Sequence, residues 1–335
     1  RIFRRTKKII FKVVIMSETF EVVIIGGGPG GYVCAIRSAQ LGFKTACIES
    51  KNTLGGTCLN VGCIPSKSLL NLSENFNKVK KNFSNLGITT GKVTLNLSKM
   101  MKAKEKSVAV LTKGIEFLFK KNKVTYIKGK ASLKSNNEIV VQEKNSKKFY
   151  KANHIIICTG SEPTSLPGIK IDEKIIVSST GALSFDKVPK ELVIIGGGYI
   201  GLEVGSIWKR LGSNVTVIEF LDHIVPGMDK DISIELLKIL KKQEINFQLN
   251  SKVTAVSIIK DKAVVDYTSK ETSIRKRIQV DKVLVAVGRK PNTEGLNLNK
   301  MSIKSDKQGR IQVDNKFQTS IKNIYAIGDV IKGPM

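Results

Sequence analysis

"FEVVIIGGGPGG", residues 20–31, decides the fold. An apolar run of buried-strand type meets Gly26-x-Gly28-x-x-Gly31, and a helix-patterned stretch, "YVCAIRSAQLG" (32–42), follows at once. A second apolar run, "KTACIE" (44–49), ends on Glu49. In such a strand–turn–helix–strand unit the first glycine makes the tight turn. The second lets backbone N–H groups approach a pyrophosphate, the third lets helix and strand pack closely, and the acid meets a ribose hydroxyl.

The pattern recurs. "KELVIIGGGYIGLEVGSIWKRLGSNVTVIEF" (190–220) carries Gly196, Gly198 and Gly201, and its second strand ends at Glu219. The acid stands 23 residues after the first glycine in both copies (49 − 26 and 219 − 196). Each copy is later closed by an apolar strand running into glycine, "HIIICTG" ending at Gly160 and "VLVAVG" ending at Gly288. Before each closing strand lies an alternating, turn-punctuated stretch, about 124–152 and about 253–280, that predicts a β-meander. Two fingerprints in register, each with its acid and closing strand, imply two dinucleotide sites.

The first copy is the longer one between acid and closing strand, and its extra segment begins with "GGTCLNVGC" (55–63). Two thiols there could bind a metal, staple a loop or exchange electrons. Zinc normally takes four protein ligands, or three plus water. Cys34, Cys47 and Cys158 fall in a Rossmann helix or buried strands, where packing as small apolar residues explains them. The two histidines, His154 and His223, read as polar residues at element boundaries. A static disulfide does not suit a reducing cytosol. Thiol exchange fits better. "CIPSKSLLNLSENF" (63–76) has helical apolar spacing, so Cys63 lies near a helix N-terminus, where a thiolate is favoured. Five residues of ideal helix rise about 7.5 Å, beyond the roughly 7 Å limit for bridged Cα atoms. A Cys58–Cys63 bond therefore needs a distorted helix, and Gly62 is placed to allow it.

The chain is long enough, at 335 residues, for two or more cores. Its 56 Lys and Arg against 28 Asp and Glu give a formal charge of +28, which raises a nucleic acid or anionic surface as partner. The lysines are spread along the whole chain without interleaved aromatics, so a solvated surface is the expectation, with no nucleic acid and no membrane as partner. No run approaches the length of a transmembrane helix. "RIFRRTKKIIFKVVI" (1–15) is basic, lacks acids and is a poor signal peptide. It reads as an extension outside the fold, with "MSETF" a natural start at Met16; the alternative is the end of a mitochondrial transit peptide. A bacterial cytoplasm is expected, with the mitochondrial matrix as the alternative.

"GGTCLNVGCIPSK" (55–67), the two fingerprints, "VAVGRKPNT" (285–293) and "TSIKNIYAIGDV" (319–330) together resemble the flavin-dependent pyridine nucleotide–disulfide oxidoreductases, from about Phe20 to Met335. Within that family the chain most resembles the branch that oxidises protein-bound dihydrolipoamide. The resemblance implies an α/β fold of two Rossmann-like three-layer domains, the NAD domain inserted in the FAD domain. Residues 16–160 would form the FAD domain with a redox disulfide, 161–285 the NAD domain, and 286–335 the return to the FAD domain.

The resemblance also assigns roles. FAD would lie on Gly26, Gly28 and Gly31, with Glu49 on its ribose, Gly56, Thr57, Thr159 and Gly160 around it, and Asp329 on its ribityl chain. Cys58 would be the outer thiol that attacks lipoamide, and Cys63 the charge-transfer thiolate against the flavin. Lys67, one turn beyond Cys63, would sit near the flavin ring and pair with Glu203. NAD would lie on Gly196, Gly198, Gly201 and Gly288, with Glu203 nearby and Glu219 on its ribose; Tyr199 would cover the nicotinamide pocket. NADP-dependent relatives tend to carry cations where Glu219 stands, and mercuric reductases need a further C-terminal cysteine pair. The family carries a C-terminal interface domain that builds a homodimer and supplies a His–Glu pair as acid/base, and "GDVIKGPM" (328–335) stops before it. The partners implied are lipoamide on 2-oxo acid dehydrogenase complexes and a second subunit. Other readings are a flavin disulfide reductase with another thiol or metal substrate, and a basic, non-catalytic binding protein.

Overall fold

The computed structural model describes residues 18–144 and 146–333; the basic extension and Met16 lie outside them. In chain order the elements are β1 (Glu18–Ile25), α1 (Pro29–Gln40), β2 (Thr45–Glu49), α2 (Gly56–Val61), α3 (Cys63–Asn77), α4 (Leu97–Lys121), β3 (Thr125–Lys128), β4 (Lys130–Leu133), β5 (Glu138–Gln142) and β6 (Lys147–Ile157). There follow β7 (Ser161–Pro163), β8 (Ile176–Val177), α5 (Ser179–Ala182), β9 (Glu191–Ile195), α6 (Tyr199–Leu211), β10 (Asn214–Ile218), α7 (Lys230–Lys242) and β11 (Asn246–Gln248). The last are β12 (Ser251–Ile259), β13 (Lys262–Ser269), β14 (Arg275–Val280), β15 (Lys282–Val285), β16 (Arg289–Pro291) and β17 (Ile324–Ala326).

The first sheet runs β3-β2-β1-β6-β5-β4, and β17 also pairs with β6. β1, β2, β3 and β17 join it in parallel, as expected where helices make the crossovers. β1 is buried on both faces. Val22 and Ile24 meet Ala35 of α1 and Phe119 of α4 on one side, while Val23 and Ile25 meet Ala131, Ile139 and Ile155 on the other. This is the two-residue alternation of a strand between two layers. β6 is long because it does two jobs. Glu138–Gln142 pairs antiparallel with its first half, and its second half, Ile155–Ile157, takes β17 in parallel.

The expected meander over about 124–152 is corrected at its first strand. Thr125–Lys128 alternates like a meander strand, but it pairs parallel with β2, Ala46 opposite Thr125. The long α4 carries the chain back to the start of the sheet, so this strand belongs to the parallel layer. The meander proper begins at Lys130. In the second unit the three-stranded antiparallel sheet β12-β13-β14 is separate from the parallel order β11-β10-β9-β15-β8.

The two units are joined by a short antiparallel ladder, β7 with β16, in which Arg289 opposes Pro163 and Pro291 opposes Ser161. They also share a helix. Leu69 of α3 is fully buried in the core formed by Leu202, Ile207 and Trp208 of α6, Val215 and Val217. The helix that begins at Cys63 therefore belongs by sequence to the first unit and by packing to the second.

Candidate active site

The turn after β1 is possible only with glycine. Gly26 sits at φ +110°, and a Cβ there would lie 2.3 Å from the Cys158 carbonyl oxygen. A Cβ on Gly31 would lie 1.7 Å from the Gly26 oxygen, so Gly31 is a packing position rather than a wall. Gly201 has the same place in the second copy, 2.6 Å from the Gly196 oxygen. The chain then caps α1 at Gly28, and Pro29 opens the helix where an N–H would have no helical partner.

Glu49 is buried at the end of β2. Its Oε2 accepts from Gly27 N at 2.9 Å and its Oε1 from Lys51 N at 2.8 Å. Glu219 repeats this at the end of β10, accepting from Gly197 N and, at 2.8 Å, from Leu221 N. Each carboxylate thus braces its own glycine turn; Glu49 Oε1 also accepts from Ser50 Oγ at 3.2 Å, which leaves Oε2 the oxygen open to a further donor.

A cavity of about 610 Å³ opens above the first turn. Gly26, Gly28, Glu49, Gly56, Thr57, Thr159, Gly160 and Asp329 line it, with Gly26 packed against the Cys158–Thr159 backbone. Thr159 Oγ1 is buried and has no hydrogen-bond partner among the described residues. A buried hydroxyl without a partner is costly unless a ligand supplies one. That orphan, the glycine-lined floor and the braced acid fit an elongated, phosphate-bearing dinucleotide.

Cys58, Cys63, Lys67 and Glu203 line the same cavity. α2 ends and α3 begins at Gly62, whose φ −137° and ψ −110° break the helix between the two cysteines. A side chain there would press to 3.0 Å from the Thr57 oxygen. Both cysteines are free thiols, Cys58 half-buried and Cys63 exposed at the first position of α3. Burial, then hydrogen bonding to and the charge of Cys63, push the Cys58 thiol up to about 12; Lys67 opposes this. Burial, then the charges of Cys58 and Cys63, raise the Tyr32 hydroxyl above the ordinary 10.0.

Lys67 Nζ reaches Glu203 Oε1 at 2.6 Å and Oε2 at 2.8 Å, and Ser66 Oγ donates to the same carboxylate at 2.9 Å. Glu203, expected near both nucleotides, lines the first cavity and not the second. It lies on the face of α6 turned towards α3, and both its oxygens are engaged there.

The second cavity, about 630 Å³, is lined by Gly196, Gly198, Glu219 and Gly288, with Phe220 and Met228 as further apolar walls. Tyr199 and Arg289 line both cavities. Neither His154 nor His223 lines either one. His154 is exposed on β6 against Tyr325, and His223 is exposed and bonded to Asp222. Ser161 and Arg289 were missed as site residues. Arg289 donates to Ser161 Oγ at 2.7 Å, and Ser161 Oγ donates to Asp329 at 2.9 Å. The motif "VAVGRKPNT" contained the arginine, but nothing local pointed to its partners.

Residues 20–335 match the family described as pyridine nucleotide-disulphide oxidoreductase. The chain is 52% identical over 320 residues to the mitochondrial dihydrolipoyl dehydrogenase of Pisum sativum, covering 95% of this chain and 64% of that protein. It is equally 52% identical to the leghemoglobin reductase of Glycine max, of which it covers 61%, and 51% identical to dihydrolipoyl dehydrogenase 3 of Pseudomonas putida, of which it covers 68%. The chain thus spans less than two thirds of the length of the two plant relatives. Among solved structures, the Cu(II) complex of the HOCl-induced flavoprotein disulfide reductase RclA from Escherichia coli superposes with a TM-score of 0.83 at 29% identity, covering 95% of this chain and 67% of that one.

Proposed function

The chain belongs to the pyridine nucleotide–disulphide oxidoreductases, and from that premise we propose that it is the cofactor-binding part of a dihydrolipoyl dehydrogenase. The observation that carries this reading is the Cys58/Cys63 pair facing one dinucleotide-shaped cavity, with Tyr199 and Arg289 lining that cavity and the next. FAD would be held by Gly26, Gly28, Glu49, Thr159 and Asp329, and NAD by Gly196, Gly198, Glu219 and Gly288. Bound FAD would supply a two-electron relay between the dithiol and a nicotinamide. Residues 16–160 and 286–335 would serve the first cofactor and 161–285 the second, a reading supported by β17 returning to the first sheet.

The chain's own part is thiol exchange. In the oxidised pair, a thiolate of dihydrolipoamide attacks Cys58 Sγ, and the Cys58–Cys63 bond breaks with Cys63 leaving as thiolate. The substrate's second thiol then attacks its own mixed-disulfide sulfur. Lipoamide departs oxidised, and Cys58 takes up a proton. Two electrons now reside on the two cysteines. Cys63 leaves from the first position of α3, and the high Cys58 value favours that residue's final protonation.

The acid/base for these proton transfers is proposed to come from a second subunit, because both histidines here stand away from the cavities. A homodimer is supported by the uncovered apolar seam of α4, where Val110 is 62% and Phe117 64% exposed. Among the described residues no helix is long and apolar enough to cross a membrane. A reducing compartment, bacterial cytoplasm or mitochondrial matrix, suits the relatives' sources.

The test is to load the chain with FAD, confirm reduction by NADH, and assay dihydrolipoamide with the chain extended by the C-terminal portion its relatives carry. Reduction of NAD by dihydrolipoamide in the extended protein is expected; FAD binding without it would overturn lipoamide as substrate. A second reading, reduction of a haem protein or other acceptor, is favoured by the identity to the leghemoglobin reductase. It predicts acceptor reduction by NADH at rates exceeding dihydrolipoamide oxidation.

A further inference from the structure

The seam between the two units carries a hydrogen-bonded chain that the thiol chemistry does not use. Arg289 Nε donates to Ser161 Oγ at 2.7 Å, Arg289 Nη2 donates to the Ser161 carbonyl oxygen at 2.6 Å, and Ser161 Oγ donates to Asp329 Oδ2 at 2.9 Å. Ser161 is 93% buried, with 7% of its surface exposed. A serine hydroxyl has one proton and can accept as well. Here the proton goes to a carboxylate and the lone pair receives a guanidinium. Both bonds are charge-assisted, and the low local dielectric strengthens each through the other.

The chain spans the two cavities. Asp329 lines the first, Arg289 lines both, and Ser161 lines the first from the β7–β16 ladder that joins the units. A ligand that draws on the Asp329 carboxylate in the first cavity changes how strongly Ser161 Oγ donates, and so how firmly Arg289 is held. A ligand drawing on Arg289 in the second cavity acts back along the same atoms. Sites that share a polarisable element bias each other's affinity reciprocally. Lys67–Glu203 also crosses between the units, but Lys67 is 61% exposed there, so water screens that pair more than this one.

We propose that Ser161 is a positioning residue that couples the two dinucleotide sites, passing the occupancy of the Asp329 site to Arg289 in the lining of the second cavity. The inference rests on the reading that the first cavity takes FAD and the second NAD.

The experiment is a binding cycle on the 335-residue chain, with no turnover assayed. The Kd of NAD+, which cannot reduce the flavin, is measured by titration calorimetry with and without saturating FAD, and the Kd of FAD with and without saturating NAD+, in the unmutated protein, Ser161→Ala, Ser161→Thr and Arg289→Lys. In the unmutated protein each cofactor should alter the Kd of the other by the same factor, roughly 5-fold or more. In Ser161→Ala the factor should fall below about 2-fold while FAD still binds, and Ser161→Thr, which keeps the hydroxyl, should retain it. Arg289→Lys keeps the charge but not the fork and should also lose the coupling, so the inference stays testable if Ser161→Ala folds poorly. Equal coupling in the unmutated protein and both disrupting variants, or no coupling in the unmutated protein, would overturn the proposal while leaving the cofactor reading intact. Failure of the unmutated chain to bind FAD would overturn the cofactor reading, and the coupling with it.

Discussion

Lys67 Nζ lies 2.6 Å from Glu203 Oε1 and 2.8 Å from Oε2, tying the helix that begins at Cys63 to the helix that begins beside the second nucleotide turn. The lysine is 61% exposed and the acid 31%, so the pair contributes little to stability, about 1 kcal/mol at most. Its effect falls on position and charge in the first cavity. Glu203→Gln and Lys67→Met should each leave the thermal midpoint nearly unchanged. Both should slow the reduction of bound FAD by NADH by roughly 10-fold or more, since a misplaced group in a reacting cavity is costly. Stopped-flow absorbance read beside a melting curve separates the two effects; a fall in midpoint with normal reduction would make the pair merely structural.

Removing Cys63 takes away two of the influences that raise Cys58. Alkylation of Cys58 in the reduced protein should be slow near pH 8 and rise only towards pH 12. In Cys63→Ser the whole profile should move to lower pH. The linkage has a sign. The thiol's ordinary value of 9.0 applies in the unfolded chain and about 12 in the folded one, so between those pH values the unfolded chain has already lost the proton. Stability of the reduced protein should therefore fall as pH rises from about 9 to 12. A pH series of urea unfolding in unmutated and Cys58→Ser protein measures that slope; identical slopes would remove Cys58 as its source.

With FAD bound and two electrons added, a thiolate at Cys63 should give a broad long-wavelength absorbance. Cys63→Ser should abolish that band and Cys58→Ser should keep it. The reverse pattern would exchange the roles of the two cysteines.

Glu219 accepts from two backbone amides and keeps lone pairs for a ribose hydroxyl, while its charge opposes a 2′-phosphate. NADH should reduce the flavin far better than NADPH. Glu219→Ala should weaken NADH binding by roughly 10–100-fold, the scale of a lost charge-assisted hydrogen bond, and narrow the preference. Comparable Kd values for the two cofactors in the unmutated protein would contradict this.

Gly31→Ala would place a methyl group 1.7 Å from the Gly26 oxygen. Overpacking of this kind costs about 1–3 kcal/mol, and the turn beneath the first cavity must shift to accept it. The midpoint of thermal unfolding should drop and FAD affinity should fall with it. Gly28→Ala is the contrast. Its Cβ would meet its nearest neighbour at an ordinary 3.7 Å, so it should fold normally and lose only affinity.

The sequence by itself determined what depends on neighbours along the chain. Glycine turn, helix and acid lie within 23 residues of one another, directly after the strand, and the positive φ of Gly26 and Gly196 needs glycine at each turn. The break at Gly62 and the placing of Cys63 at a helix start are local too, and the structure has both. Only the tertiary structure decided the contacts that cross the units. Lys67 and Glu203 are 136 residues apart, and Ser161 and Asp329 are 168 apart. Resemblance paired the first two; no spacing in the chain announced either pair. The face of α6 that Glu203 occupies is set by how α3 packs into the second core, which put the acid in the first cavity instead of the second. Thr125–Lys128 shows the same limit. Its alternation suits a meander edge or a parallel edge equally, and the choice fell to the 25-residue helix that returns the chain to β2.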